Sequence, residues 1–307
     1  MRDVKRVLVV GTGTIGDAVG HACALAGLDT TVIDTTVIDT TVIDVAVLDT
    51  AVPGPANEAS NRLRGAGAGR AGQADDAGAG LPGEPGRPIG SPDLDAAAGR
   101  VDVVIDVAEE PPAAKQRLLQ RLDARCSPDV LLATSTRHHQ VRRIAEGCAH
   151  PERVLGMEWS ASEPGLTPLV EIVPTAQTSQ AAVAAAVRLA EACGCRAVVC
   201  HGDAPGAVAN RLRMAMFMEA VRLVDEGVAS AEDVDQVARG MYRHAMGPFE
   251  LLDRTGLVDA AAASAAMAAF YDDDRFAAAP LLAAMLASGR TGRESGRGFY
   301  EYAPADR

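Results

Sequence analysis

"RVLVVGTGTIG", residues 6–16, is the stretch on which the fold turns. Behind Arg6, Val7–Val10 form an unbroken apolar run, the pattern of a strand buried on both faces, and it passes without a spacer into Gly11, Gly13 and Gly16. "DAVGHACALAG" (17–27) follows with small and apolar residues at helical spacing and closes on Gly27, and "DTTVID" (29–34) reads as a second strand ending in an acid. The unit is strand, glycine turn, helix, strand. Gly11 permits the tight turn, Gly13 lets a pyrophosphate approach the backbone, and Gly16 lets helix and strand pack closely. Asp34 stands 18 residues after Gly16, where a carboxylate accepts hydrogen bonds from an adenosine ribose and repels a 2′-phosphate. NAD is therefore expected rather than NADP, held by Gly11, Gly13, Thr14, Ile15, Gly16 and Asp34.

Immediately beyond, "TTVID" occurs three times (30–44) and "VAVLD" nearly continues it, so Asp39, Asp44 and Asp49 compete with Asp34 as the strand's end. Spacing from the glycines selects Asp34. About 15 residues are read as an insertion that lengthens the strand or forms a loop beside it, with an ambiguous register. Residues 52–92, rich in Gly, Ala and Pro, lack helical periodicity and are expected to be mobile.

Composition bounds the rest. A chain of 307 residues fits two domains of ordinary size. Aromatics are 3% against 48% hydrophobic residues, so the core is expected to be aliphatic. With 29 basic and 41 acidic residues the net charge of −12 argues against nucleic acid as a ligand. The six cysteines lack C-x-x-C spacing and are expected to be free thiols; no metal site is expected. There is neither a signal-peptide pattern nor an apolar run of roughly 20 residues, so a cytoplasmic protein without membrane contact is expected.

Further along, "VDVVIDVAEE" (101–110) and "DVLLATST" (129–136) read as two more buried strands with a helix, "KQRLLQRLD", between them. From about residue 203 the pattern is helical: "AVANRLRMAMFMEAVRLVDEG" repeats apolar residues every three or four positions, and Ser230 with Asp233 caps the next helix. Met214, Met216 and Met218 read as core.

Taken together, "PLVEIV" (168–173), "APGAVANRL" (204–212), "EGVASAEDVDQVARGMYRHAMGPFELLDRTGL" (226–257) and "GRESGRGFYEY" (292–302) resemble the 3-hydroxyacyl-CoA dehydrogenase family over nearly the full chain. The resemblance implies a Rossmann-type doubly wound NAD-binding domain at 1–202 and an all-helical substrate and dimerisation domain at 203–307. It adds Ala108, Glu110 and Lys115 to the cofactor contacts, and it implies a homodimer through the helical domain. The implied activity is an NAD-dependent oxidoreductase for a 3-hydroxyacyl, 3-ketoacyl or related hydroxy/keto substrate, presented on coenzyme A, on a carrier protein or free. In the family a histidine takes the hydroxyl proton and a glutamate orients it. Here Glu158 of "GMEWSASEP" stands at the histidine's place and Glu171 at the orienting acid, while Thr136 and Asn210 match the substrate-side hydroxyl and amide.

Three arrangements stay open for that exchange. Glu158 and Glu171 share a proton and act as acid or base; or Glu158 faces solvent and transfers nothing; or His138 or His139 swings in to replace it. Non-redox chemistry through Glu158 (cyclisation, dehydration or imine chemistry) and a non-catalytic NAD-binding protein are the alternatives in function. Arg137, Arg142 and Arg143 make a small basic cluster, read either as a solvated helix face or as a phosphate site. The Ala/Arg-rich, Lys-poor composition points to a high-GC genome and, by association only, to specialised biosynthesis.

Overall fold

A computed structural model describes residues 4–38, 43–46, 89–90, 94–108, 111–160 and 168–303. The first unit runs β1 (Arg6–Val10), α1 (Thr14–Leu25), β2 (Asp29–Ile38), β3 (Ile43–Ala46), β4 (Ile89–Gly90), α2 (Leu94–Ala98), β5 (Val103–Asp106), α3 (Pro112–Arg125), β6 (Leu131–Thr134), α4 (Val141–Ile144), β7 (Val154–Trp159), β8 (Leu169–Pro174), α5 (Gln180–Ala192) and β9 (Arg196–Val199). Five helices follow: α6 (Ala209–Asp225), α7 (Ala231–Tyr242), α8 (Pro248–Thr255), α9 (Leu257–Tyr271) and α10 (Pro280–Ala287).

The strands lie in the order β3-β2-β1-β5-β6-β7-β8-β9, with β4 also paired to β2. β1, β2, β5, β6 and β7 are mutually parallel, and β8 is antiparallel to β7. Helices cover both faces, which explains the unbroken apolar run in β1. Val7 and Val9 pack with Cys23 of α1 and Leu189 of α5 on one face, and Leu8 and Val10 with Leu94 of α2 and Leu118 of α3 on the other. Strand order reverses between β2-β1 and β1-β5, so a crevice opens at the carboxyl ends of β1 and β5.

The repeats lengthen β2 and then turn back as a hairpin. β2 follows β1 only as far as Val10↔Ile33, then runs to Ile38 and pairs antiparallel with β3, with an irregularity in register between Asp34 and Val37. Asp34 is thus the first residue past the β1 ladder, not the end of its strand. The repeated β-branched residues favour extended backbone, so pairing continues once the parallel partner has ended. Of the Gly/Pro/Ala-rich residues 52–92, Ile89 and Gly90 pair with β2 as β4, and residues 52–88 and 91–92 lie outside the described residues.

The expectation of an aliphatic core holds for the sheet and needs correction for the helices. Phe217, Phe249 and Phe276 are fully buried there, with Met214 and Met218 beside them. Ala-rich helices such as α9 leave wide gaps that only large side chains fill. Ser230 caps α7 with Asp233 as expected. Two buried acids organise the remainder. Asp235 accepts from the Phe249 and Glu250 N–H groups at the start of α8 (2.8 and 3.0 Å) and from the Tyr300 hydroxyl. Asp253 accepts from the N–H groups of Phe299 and Tyr300 and from the Tyr302 hydroxyl. The terminal "GFYEY" is therefore tied to the helical core. Gly247 and Gly298 are small because these carboxyls occupy the space of a side chain.

Asp235→Ala leaves three donors of a fully buried acid without an acceptor, and the expected loss of stability is about 2–4 kcal/mol. Urea denaturation checks this; a change below about 0.5 kcal/mol, the range of a surface substitution, contradicts it.

Candidate active site

The glycine turn comes first. Gly11 has φ +108° and a Cβ there would meet Ala108 N at 2.5 Å, so the turn after β1 rests directly on the end of β5. A Cβ on Gly16 would meet Gly11 O at 2.2 Å, which lets α1 seat against the turn. Gly13 differs from both: its φ is +92°, a Cβ would meet nothing within 4 Å, and as N-cap of α1 it offers no side chain to the first-turn N–H groups. Open space above uncapped helix donors, with Thr14 and Ile15 in the first turn, fits a dinucleotide's pyrophosphate.

Lys115 is buried. Its ammonium is 2.8 Å from Asp106 Oδ2 and donates to the Ala108 carbonyl at 2.9 Å, while Asp106 also accepts from Ala108 N and from the Thr134 hydroxyl. The pair sets the Ala108 end of the crevice from beneath. Glu110 lies outside the described residues.

Glu158 occupies the middle of a second group. Gly156, two residues earlier on β7, is where Val141 of α4 packs: a Cβ would meet Val141 Cγ2 at 2.8 Å. That close approach lays the β6–α4 turn over Glu158. The Glu158 Oε1 accepts from Thr136 N (2.6 Å) and Arg137 N (3.0 Å), and Oε2 accepts from the Ser135 hydroxyl (2.7 Å), while the Thr136 hydroxyl donates to the His139 carbonyl (2.8 Å). Arg137 has φ +54°, a left-handed conformation that curls the turn around the carboxyl. Glu158 is 9% exposed, so it does not project into solvent.

Glu171 pairs with Glu158 across β7 and β8. The hydrogen bonds of the two carboxyls go to separate partners rather than marking a shared proton. Glu171 accepts from Val208 N (2.8 Å) and Ala209 N (3.0 Å), and it caps α6. Helix-end N–H groups without an intrahelical partner satisfy it, just as turn N–H groups satisfy Glu158. Both face Cys200, whose thiol is pushed up to about 11 by burial first and then by Glu171 and Glu158.

A third acid completes the frame: Asp203, between β9 and α6, accepts from Val141 N and Arg142 N (2.8 Å each) at the start of α4. Arg142 and Arg143 are exposed, whereas Arg137 turns toward the helices, 3.8 Å from Asp259. Asn210, in the first turn of α6, donates to the Arg137 carbonyl (3.5 Å) and accepts from Arg213.

Of the expected site residues, Thr136 and Glu158 meet directly, Asn210 joins them through Arg137, and Glu171 is adjacent but turned to α6. Ser135, Asp203 and Arg213 escaped the sequence reading. The signal for Ser135 was its place in the hydroxyl run "TST", and for Arg213 an arginine one turn after Asn210 on an otherwise apolar helix. His138 and His139 stack on each other with ring centroids 4.4 Å apart, and neither is a partner of Glu158.

The chain matches the models "3-hydroxyacyl-CoA dehydrogenase, NAD binding domain" over residues 6–204 and "3-hydroxyacyl-CoA dehydrogenase, C-terminal domain" over 206–302. It is 31% identical to the 3-hydroxybutyryl-CoA dehydrogenase of Mycobacterium tuberculosis H37Rv, covering 97% of this chain and 99% of that one. It is 35% identical to a probable 3-hydroxybutyryl-CoA dehydrogenase of Bacillus subtilis, over 67% of this chain and 71% of the other. The crystal structure of Mycobacterium tuberculosis FadB2 superposes with a TM-score of 0.80 at 30% identity, covering 98% of this chain and all of that one. Among the described residues no helix is long and apolar enough to cross a membrane.

The His138 imidazole is pushed down to about 4, chiefly by burial and then by His139 and Arg137. It is neutral at pH 7. Between about 6.5 and 4 the unfolded chain takes up a proton there that the folded chain refuses, so this histidine's contribution to stability falls as pH falls. Histidine NMR titration should place its midpoint near 4; an ordinary midpoint near 6.5 contradicts the burial.

Proposed function

This chain belongs to the 3-hydroxyacyl-CoA dehydrogenase family of NAD-dependent oxidoreductases, and from that premise we propose that it oxidises the hydroxyl of a 3-hydroxyacyl-type or related hydroxy substrate with Glu158 as the proton acceptor. The observation that carries this reading is the division of labour within the Glu158 carboxyl. Oε1 receives two N–H hydrogen bonds from the β6–α4 turn, whereas Oε2 receives one bond, from the Ser135 hydroxyl. A carboxylate oxygen accepts about two bonds comfortably, so Oε1 is spent on positioning and Oε2 keeps capacity for a substrate hydroxyl.

NAD, when bound on the glycine turn, supplies the hydride acceptor. The proton is the protein's task. Glu158 Oε2 takes it from the hydroxyl as the carbonyl forms, and Ser135 and the turn N–H groups hold the carboxyl at its post. Ser135 and Thr136 are positioning residues here. Asn210 stands one turn into α6 with its amide directed to the same turn, so the sheet and the helical unit meet at the reacting group. Asp34 beside the Gly11 turn matches a ribose contact, and Gly11, Gly13, Thr14, Ile15, Gly16 and Ala108 form the cradle. The two relatives are named as dehydrogenases of 3-hydroxybutyryl-CoA, which supports a hydroxyacyl compound as substrate.

The protein acts as a cytoplasmic homodimer in this reading. Six free cysteines support a reducing compartment. Exposed apolar side chains on the helical unit, Leu212, Met241, Tyr242, Val258 and Phe270 among them, support a second copy as partner. Light scattering at micromolar concentration should give twice the chain mass, and a monomer refutes the dimer.

With NAD and 3-hydroxybutyryl-CoA, absorbance at 340 nm should rise. Glu158→Gln, which keeps size and loses basicity, should lower kcat by roughly 10²–10⁴ while nucleotide affinity stays within about twofold. An unchanged kcat removes Glu158 from the chemistry.

A further inference from the structure

The cleft beside Glu158 holds more positive charge than proton transfer requires. Arg213 lies in the second turn of α6, one turn beyond Asn210, whose side-chain oxygen accepts from its guanidinium. Its Nε is buried and has no hydrogen-bond partner. An acceptor-free guanidinium nitrogen removed from water is costly, and arginine sites of this kind hold an anion when complete. Among the described residues its guanidinium donates to an uncharged amide, that of Asn210. Arg137 approaches from the opposite wall, on the turn whose N–H groups bind Glu158, and Asn210 spans the two by donating to the Arg137 carbonyl. Burial and the charge of Arg137 both push the Arg213 guanidinium below its ordinary value, which places the two cations within each other's field. Arg137 meets Asp259 at 3.8 Å, a long pair between two exposed side chains, of the kind worth little.

We propose that Arg213, with Arg137 across from it, forms a carboxylate-binding subsite beside Glu158, so that the enzyme accepts a short hydroxy acid bearing a free carboxylate. This deepens the reading of Glu158 as proton acceptor and rests on it for the position of the reacting hydroxyl. Arg213 offers its unpartnered Nε–H to a carboxylate oxygen, while the neighbouring Nη2 is held by Asn210. Glu158 lies on the far side of the Arg137 backbone. In this proposal a substrate anchored at its carboxylate presents its hydroxyl to Oε2 without need of a carrier, and a 3-hydroxy acid corresponds to the hydroxyacyl group in the names of the relatives. The same guanidinium charge would also attract the phosphate of a carrier, so the test sets the two anions apart.

The experiment is binding of 3-hydroxybutyrate to the full chain by isothermal titration calorimetry, with inorganic phosphate and 3-hydroxybutyramide as comparison probes. The expected result is saturable binding of the acid, at least tenfold weaker binding of the amide, and no comparable binding of phosphate. Arg213→Met, which keeps the side chain's length without its charge, should weaken binding of the acid at least tenfold. Arg213→Lys should recover part of it. NAD affinity of each variant serves as the check that the chain is folded. Phosphate binding as tightly as the acid overturns the carboxylate assignment, as does acid binding that is absent in the wild type or indifferent to Arg213→Met. Because these readouts need no turnover, they separate the two ideas. If 3-hydroxybutyryl-CoA is oxidised and 3-hydroxybutyrate does not bind, this inference falls and the role of Glu158 stands. If the acid binds through Arg213 and Glu158→Gln turns over normally, the reverse holds.

Discussion

The carboxylate of Glu171 seated on the first N–H groups of α6 is the constraint from which the rest of the site follows. It joins a strand of the sheet to the first helix of the second unit at the point where the chain passes between them. A helix start without a side-chain cap of its own carries unsatisfied donors and a partial positive charge, and a buried carboxylate carries the complementary need. Neither is stable there alone. Once Glu171 holds α6, Asn210 and Arg213 in its first two turns have only one direction to face.

The same exchange recurs through the molecule. Asp203 caps α4, Asp235 caps α8, Asp253 fastens the final "GFYEY", and Glu158 gathers the β6–α4 turn. In a chain with 41 acidic residues and only two lysines, backbone N–H groups serve many of the buried carboxylates. This economy bears on chemistry. An imidazole would offer one acceptor nitrogen and one donor, whereas a carboxylate can rest one oxygen on the backbone and keep the other for a proton. In the proposed reading Glu158 therefore serves as a base through Oε2 while the turn holds Oε1. The non-redox alternatives find no support in the relatives, which are named as dehydrogenases.

Much of the fold is legible in one dimension because its signals are local. The β1 run, the glycine spacing and the capping box at Ser230 depend on residues within a few positions of each other, and each forms where its spacing places it. The repeats were harder to place. Every copy of "TTVID" has the same tendency to extend, so local preference could not say where the parallel ladder would stop; the length of β1 decided it at Ile33. The aromatic side chains likewise found the one place, among Ala-rich helices, where bulk was needed.

The sequence by itself determined the two-part architecture, the nucleotide turn and the presence of acids at 158 and 171, since these are matters of residue type and spacing. It could not say what the carboxyls touch. Glu158 meets a turn 22 residues away, Glu171 a helix start 37 residues away, and Asn210 a carbonyl 73 residues away. Two acids facing each other on neighbouring strands read as a proton-sharing pair until the helix end and the turn arrive with donors of their own. Only tertiary structure supplies those donors, and hydrogen bonding to buried carboxylates is settled by whichever donors come within 3 Å.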